Sequence, residues 1–157
     1  MVVNVEKKIK DKANIEVNGA TLLSVEEAKA LPKHLRVYSS WWWLRSPGNY
    51  SFSVAFVNYV GTVFNRGNNV DDSRGAVRPA LKIANLESSS LKIGDSIFFG
   101  GKEFEIISDT LAFCRTGIWE HCFREDWEAE DANDYKKSDV KKYIDEWFSS
   151  AVRAYTN

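Results

Sequence analysis

The sequence predicts an α+β fold, mostly antiparallel sheet with two flanking helices, and three observations carry that expectation. An apolar stripe at helical spacing runs through the last part of the chain. A serine capping box opens a second, shorter helical stretch near residue 24. Between them lie short apolar runs punctuated by Gly, Pro and Asn.

Taken in order, Val2, Val3 and Val5, then Ile15 and Val17, suit two short strands. Thr21–Leu23 leads into Ser24, with Glu27 three residues on. The good helix formers from Val25 to Leu31 predict a helix over 25–31 that Pro32 ends. Trp41, Trp42, Trp43 and Leu44 run into Arg45-Ser46-Pro47-Gly48-Asn49, a buried strand closed by a turn. Strand neighbours alternate faces, so this triple Trp is either all core or turns Trp42, or the pair Trp41 and Trp43, outward as a binding contact. From Ser51 the pattern alternates, with Phe52, Val54 and Phe56 on one face and Ser51, Ser53 and Ala55 on the other. Gly61 breaks that strand, and Val63 and Phe64 resume it as the second arm of a hairpin.

Residues 66–75 form a loop by composition, and Ala76–Ile83 returns to the core, with Pro79 keeping it near an edge or bulge. After a connector at 86–92, Ser96–Phe99 and Glu103–Ile107 flank a Gly100-Gly101 turn. Leu111–Ile118 is a further strand. Ser138 then caps a helix over 139–151, whose stripe is Val140, Tyr143, Ile144, Trp147, Phe148 and Ala151.

A chain of 157 residues fits a single domain over 1–157, divisible into parts at 1–85 and 86–157. The formal charge of −1 excludes a wholesale nucleic-acid binder, which should be basic, and a whole-surface mimic of nucleic acid, which should be strongly acidic. No apolar run resembles a signal peptide or approaches the ~20 residues that span a bilayer. The expectation is a cytoplasmic protein with reduced thiols.

Phosphate-loop, dinucleotide, zinc-protease, nucleophile-elbow and CxxC motifs are all absent, so no signature points to an enzyme. The soft ligands are few. Cys114, His121 and Cys122 fall within nine residues, and His34 would complete a Cys2His2 set for zinc. The spacing is not that of a standard finger, and His121 and Cys122 share one ion only if the chain turns there. Glu120 or Asp126 could supply a ligand instead; the plain alternative is that Cys114 packs in a strand and the His-Cys pair is incidental.

Glu125, Asp126, Glu128, Glu130, Asp131 and Asp134 form an acidic run. It reads as a solvated loop or as a patch competing for a basic groove on a partner; an EF-hand loop is disfavoured because its spacing and Gly are missing. Residues 46–75 hold five Asn, four Gly, four Ser, Tyr50 and Tyr59, and no Lys. That is the composition of adaptable recognition loops, and equally of a turn-rich hairpin.

The motifs Trp42–Gly48 (WWLRSPG) and Ala76–Leu81 (AVRPAL) resemble a domain common in phages and prophages of Gram-positive bacteria. Leu22–Leu31 resembles the helix that precedes these motifs in that family. Residues 91–107 and 123–147 resemble the hairpin and C-terminal portion found with it. The resemblance implies a fold in part C-type-lectin-like, distantly related to formylglycine-generating enzymes, with Arg45 and Arg78 anchoring polar networks. Cys114–Cys122 departs from the family pattern, where small or apolar residues are usual. The resemblance also implies a non-enzymatic phage protein that binds and inhibits a host macromolecule inside the infected cell. The specific expectation is an anti-CRISPR inhibitor that blocks target-DNA loading by a Cas9-type nuclease. Its contacts would be the acidic run, Tyr50 and Tyr59. The alternative is a lectin-like domain for a glycan or virion component; a metal-dependent enzyme built on the Cys/His cluster is a third reading.

Overall fold

The computed structural model describes residues 1–7 and 11–156. The strands are β1 (Val2–Lys7), β2 (Asp11–Thr21), β3 (Trp42–Pro47), β4 (Ser53–Val57), β5 (Val63–Asn69), β6 (Ala76–Val77), β7 (Ala80–Ala84), β8 (Ser96–Phe99), β9 (Lys102–Ile106), β10 (Leu111–Cys114) and β11 (Trp119–Glu120). The helices are α1 (Val25–Lys29), α2 (Lys33–Arg36) and α3 (Asp139–Arg153), with single 3-10 turns at Leu86–Ser88 and Tyr135–Lys137. The fold is α+β and mostly antiparallel, with three helices among the described residues where the sequence pattern predicts two.

The chain folds as two compact units that interleave in sequence rather than dividing at residue 85. Met1–Thr21, Pro79–Thr116 and Ile144–Asn157 form the first; Leu22–Arg78 and Gly117–Tyr143 form the second. The reason is strand pairing: β2 needs β7 as its neighbour and β1 needs β8, so the N-terminal strands belong with residues 80–114.

The first unit is a closed barrel of order β1-β2-β7-β10-β9-β8. Along β1 and β2 every second residue is buried: Val3 and Val5, then Ala13, Ile15 and Val17. A register shift between Val17 and Gly19 bends β2 so that one strand pairs on both sides. The Gly100-Gly101 turn joins β8 and β9 as expected, both residues at positive φ. At Gly100 the reason is double, since a Cβ there would also lie 2.9 Å from Ala151 Cβ on α3. Phe99 stacks on Phe148 and Tyr155 and meets Trp147 edge-on, covering part of the apolar stripe of α3. The helix begins where the sequence places it, with the Ser138 hydroxyl accepting from the Lys141 amide at 2.9 Å.

The second unit is a five-stranded sheet of order β11-β6-β3-β4-β5, in which only the β3–β6 pair is parallel. The Ser24–Glu27 capping box forms as predicted and opens α1. Pro32 both follows that helix and starts α2, the element that the sequence pattern does not reveal. Trp42, Trp43 and Leu44 are all fully buried and Trp41 is half-buried, so the triple Trp is core. Consecutive burial requires both faces of β3 to be covered; α1 and the 135–137 turn pack against it. The alternation expected from Ser51 is not kept. Ser53, Val54 and Ala55 are buried in succession, and a register shift between Val54 and Phe56 breaks the period of two. Ala76–Ile83 divides at Arg78-Pro79 into β6 and β7, which belong to different sheets. Likewise Leu111–Ile118 is β10 alone, with β11 separate.

Arg78 is 1 % exposed. Its guanidinium lies 4.5 Å from the centroid of Tyr38 and 4.8 Å from that of Trp42, and Nη1 donates to the Leu35 carbonyl at 2.9 Å. Arg45 donates to the Leu22 carbonyl and pairs with Glu27 at 2.6 Å, fixing β3 to the start of α1. Arg78→Lys keeps the charge but loses the planar stacking and the fork of donors. Urea unfolding should show a loss of about 2–4 kcal/mol, because a desolvated cation–π contact and a charged hydrogen bond are both weakened.

Candidate functional site

One group of outward features of the sheet unit lies where the β4–β5 hairpin meets the acidic loop. At the base of the hairpin Gly67 has φ +90°, and a Cβ there would fall 2.8 Å from the Val54 carbonyl; the strands approach this closely because residue 67 is Gly. β5 runs on to Asn69, further than composition predicts, so the loop proper is 70–75. Asp72 organises that loop. Its carboxylate accepts from Arg74 at the backbone amide, Nε and Nη2, and from Asn68 Nδ2. The Arg74 hydrogen bonds, chief among these contacts, hold the Asp72 carboxyl down to about 2 against some opposing burial.

The acidic loop is seated on this hairpin by two hydrogen bonds. The Arg124 amide donates to the Val70 carbonyl at 3.0 Å, and Asn133 Nδ2 donates to the Tyr50 carbonyl at 3.1 Å. The run then splits by role. Asp131 pairs with Arg124 and Lys137, and Asp134 caps the 135–137 turn, so these two are structural. Glu125, Asp126, Glu128 and Glu130 are exposed. Among the described residues, none of Asp71, Asp126, Glu128 and Glu130 has an ion-pair partner.

Between hairpin and loop lies a cleft of about 200 Å³ lined by Phe52, Asn69, Asp71 and Trp127. Trp127 is 49 % exposed, and Phe52 stacks on Tyr50, itself 62 % exposed, with centroids 5.4 Å apart. Tyr50 precedes β4 and Tyr59 follows it. The two predicted contacts therefore stand at opposite ends of that strand, and only Tyr50 adjoins the cleft. The cleft-lining side chains are the ones that sequence patterns miss. A large aromatic embedded in an acidic run, Trp127, is the signal that could have found them.

The ligand donors fall partly as expected. His121, Cys122 and Glu125 place one donor atom each within 4.8 Å of one another. Cys114 is fully buried in β10 of the barrel unit, and His34 is exposed on α2. Neither joins the group, so the Cys2His2 set is corrected to a His/Cys/Glu one. The cause is chain direction: after β10 the backbone leaves the barrel, and β11 pairs with β6 instead. The sharing of one site by neighbours 121 and 122 follows from the end of β11 at Glu120.

The His121 ring is clamped from several sides. It stacks on Trp119 at 4.1 Å, and Trp119 stacks in turn on Tyr143 at 4.0 Å. The His121 amide donates to the Gly75 carbonyl, and its own carbonyl accepts from Trp43 Nε1. Cys122 Sγ lies 3.3 Å from Nδ1, while Glu125 Oε1 lies 3.5 Å from Nε2. The thiol and the carboxylate thus flank opposite nitrogens of one ring. An ion held by all three would need one of them to swing across. Burial, then the charges of Glu125, Asp139 and Asp71, push the Cys122 thiol up to about 11. The group is therefore a protonated thiol in a field that attracts cations.

Residues 4–85 match one family model, described as a domain of unknown function (DUF6273). No curated protein matches the chain, and no solved structure does.

The Asp72 contacts give a pH signature. A depressed carboxyl contributes stability that is complete above its unfolded value of 3.8 and is lost as pH falls toward about 2. Asp72→Asn should be less stable than wild type at neutral pH by about 1 kcal/mol, a figure discounted because Arg74 is exposed to solvent screening. Denaturant melts across pH should show the difference closing between those two values; a constant gap would remove the charge account.

Proposed function

The chain belongs to the family of the domain of unknown function DUF6273, and we propose that it is a non-catalytic binding protein. Its contact surface is the acid-rich aromatic face of the sheet unit, and its partner is a protein with a basic surface. The observation that carries this reading is the cleft of Phe52, Asn69, Asp71 and Trp127, whose Trp127 stands in the chain between the exposed acids Asp126 and Glu128. Charge of one sign on a concave, partly aromatic surface steers association with the opposite sign. It does so here without a basic or acidic protein as a whole, since the net charge is only −1.

Two further observations support a binding role over a catalytic one. The Cys122 thiol, pushed up to about 11, is protonated at neutral pH and so is a poor nucleophile beside His121. The exposed side chains Tyr50, Phe52 and Trp127 are of the kinds that dominate binding energy when a partner covers them. The partner that the WWLRSPG-type resemblance singles out is a Cas9-type nuclease, whose positively charged channel holds nucleic acid. An acidic face seated there would compete with target DNA.

The donor group supports a second, independent proposal: His121, Cys122 and Glu125 bind zinc, with the remaining position left to water or a nearby carboxylate.

Two measurements test these readings. In cleavage assays the protein should suppress a Cas9-type nuclease. The variant with Asp126, Glu128 and Glu130 all changed to Lys, which leaves the Glu125 donor in place, should lose at least tenfold in potency. Undiminished cleavage across several orthologues would sink the nuclease assignment. For zinc, elemental analysis should find about one ion per chain in wild type and in Cys114→Ser, and little in Cys122→Ser. Zinc-free wild-type protein after purification with added zinc would end that proposal.

A further inference from the structure

We infer that the cleft between Phe52 and Trp127 seats a single arginine side chain of the partner, a step that rests on the binding function proposed above. The size of the cleft comes first. At about 200 Å³ it is smaller than the roughly 300–1,000 Å³ of pockets that enclose a drug-sized ligand, so it suits one long side chain and not a folded segment.

The lining comes second. Phe52 and Trp127 supply apolar ring surface, Asn69 a neutral amide and Asp71 a carboxylate. A guanidinium meets the aromatic and carboxylate demands at once. Its plane stacks on aromatic faces, its forked N–H donors match a carboxylate, and it is more weakly hydrated than an ammonium. An ammonium would meet the charge but not the planar stacking.

The charge around the cleft comes third. Three cations of this region are already held: Arg74 by Asp72, Arg124 by Asp131, and Lys137 by Asp131. Among the described residues Asp71 has no ion-pair partner, and the neighbouring outward acids Asp126 and Glu128 have none either. The charge at the cleft is thus left for a ligand to complement. The same unit already shows what such a seat looks like when filled from within, where Arg78 lies between Tyr38 and Trp42.

The test uses the full chain and two synthetic peptides, oligoarginine and its citrulline counterpart, which keeps the shape and removes the charge. Titration calorimetry should find binding of the arginine peptide at least tenfold tighter than that of the citrulline peptide. Asp71→Asn and Trp127→Ala, both at exposed positions, should each weaken it at least tenfold with unchanged circular dichroism. An oligolysine peptide should bind more weakly than oligoarginine. Equal affinity for arginine and citrulline, or wild-type affinity in both variants, overturns the inference. So does preferential binding of a monosaccharide that survives Asp71→Asn, which would make the cleft a glycan seat. The two readings fail separately. Arginine binding without nuclease inhibition removes the partner and keeps the cleft. Inhibition that Asp71→Asn and Trp127→Ala leave intact keeps the partner and removes the cleft.

Discussion

The sheet unit is organised by a buried cation. A guanidinium removed from water must recover its hydration energy from the protein, and Arg78 does so from two aromatic faces and the Leu35 carbonyl. That demand fixes Tyr38 and Trp42, and through them much else. The Tyr38 hydroxyl accepts from the Gly117 amide at 2.8 Å. The next backbone bonds, Ile118 to the Val77 carbonyl and His121 to the Gly75 carbonyl, lay β11 along β6. Trp43 then holds the His121 carbonyl. A chain of short contacts therefore runs from the buried arginine to the backbone of the His121–Cys122 group, which the core positions.

Near-zero net charge conceals a division of labour. In the sheet unit Arg45, Arg74, Arg78, Arg124 and Lys137 each hold a backbone carbonyl or a carboxylate of the fold. The acids Asp72, Asp131 and Asp134 answer them or cap turns. The outward members of the acidic run belong to neither group. Sequence charge counts cannot make this distinction, because it depends on which acids face a committed base across the fold.

Legibility follows the range of the interaction. The Ser24–Glu27 capping box, the Gly100-Gly101 turn and the stripe of α3 are visible because their partners lie within a few residues along the chain. The barrel is not, since it depends on β1 meeting β8 across about ninety residues of chain. Arg78-Pro79 reads as one strand with a flaw and is in fact the passage from one sheet to another. The donor group is half legible: His121 and Cys122 adjoin in sequence, whereas Cys114, eight residues earlier, is carried into the barrel wall. Phe52 and Asp71 carry no sequence signal of their own, because a cleft between a hairpin and a distant loop has no local signature.

Two departures from local rules fall within the candidate site. Burial and three carboxylates raise the Cys122 thiol, so folding gathers negative charge there without a described cation to relieve it. Trp127 leaves about half its surface in water although the same chain buries Trp42 and Trp43 completely. A sequence selected for stability alone would bury that ring and place a lysine near Asp71. Departures of this kind are informative, since proteins tend to violate such rules at functional sites. Asp72 and Arg74 brace the loop that carries Asp71, and Arg124 and Asn133 brace the one that carries Trp127. The unmet groups are held in place by met ones, which is the arrangement a preorganised contact surface requires.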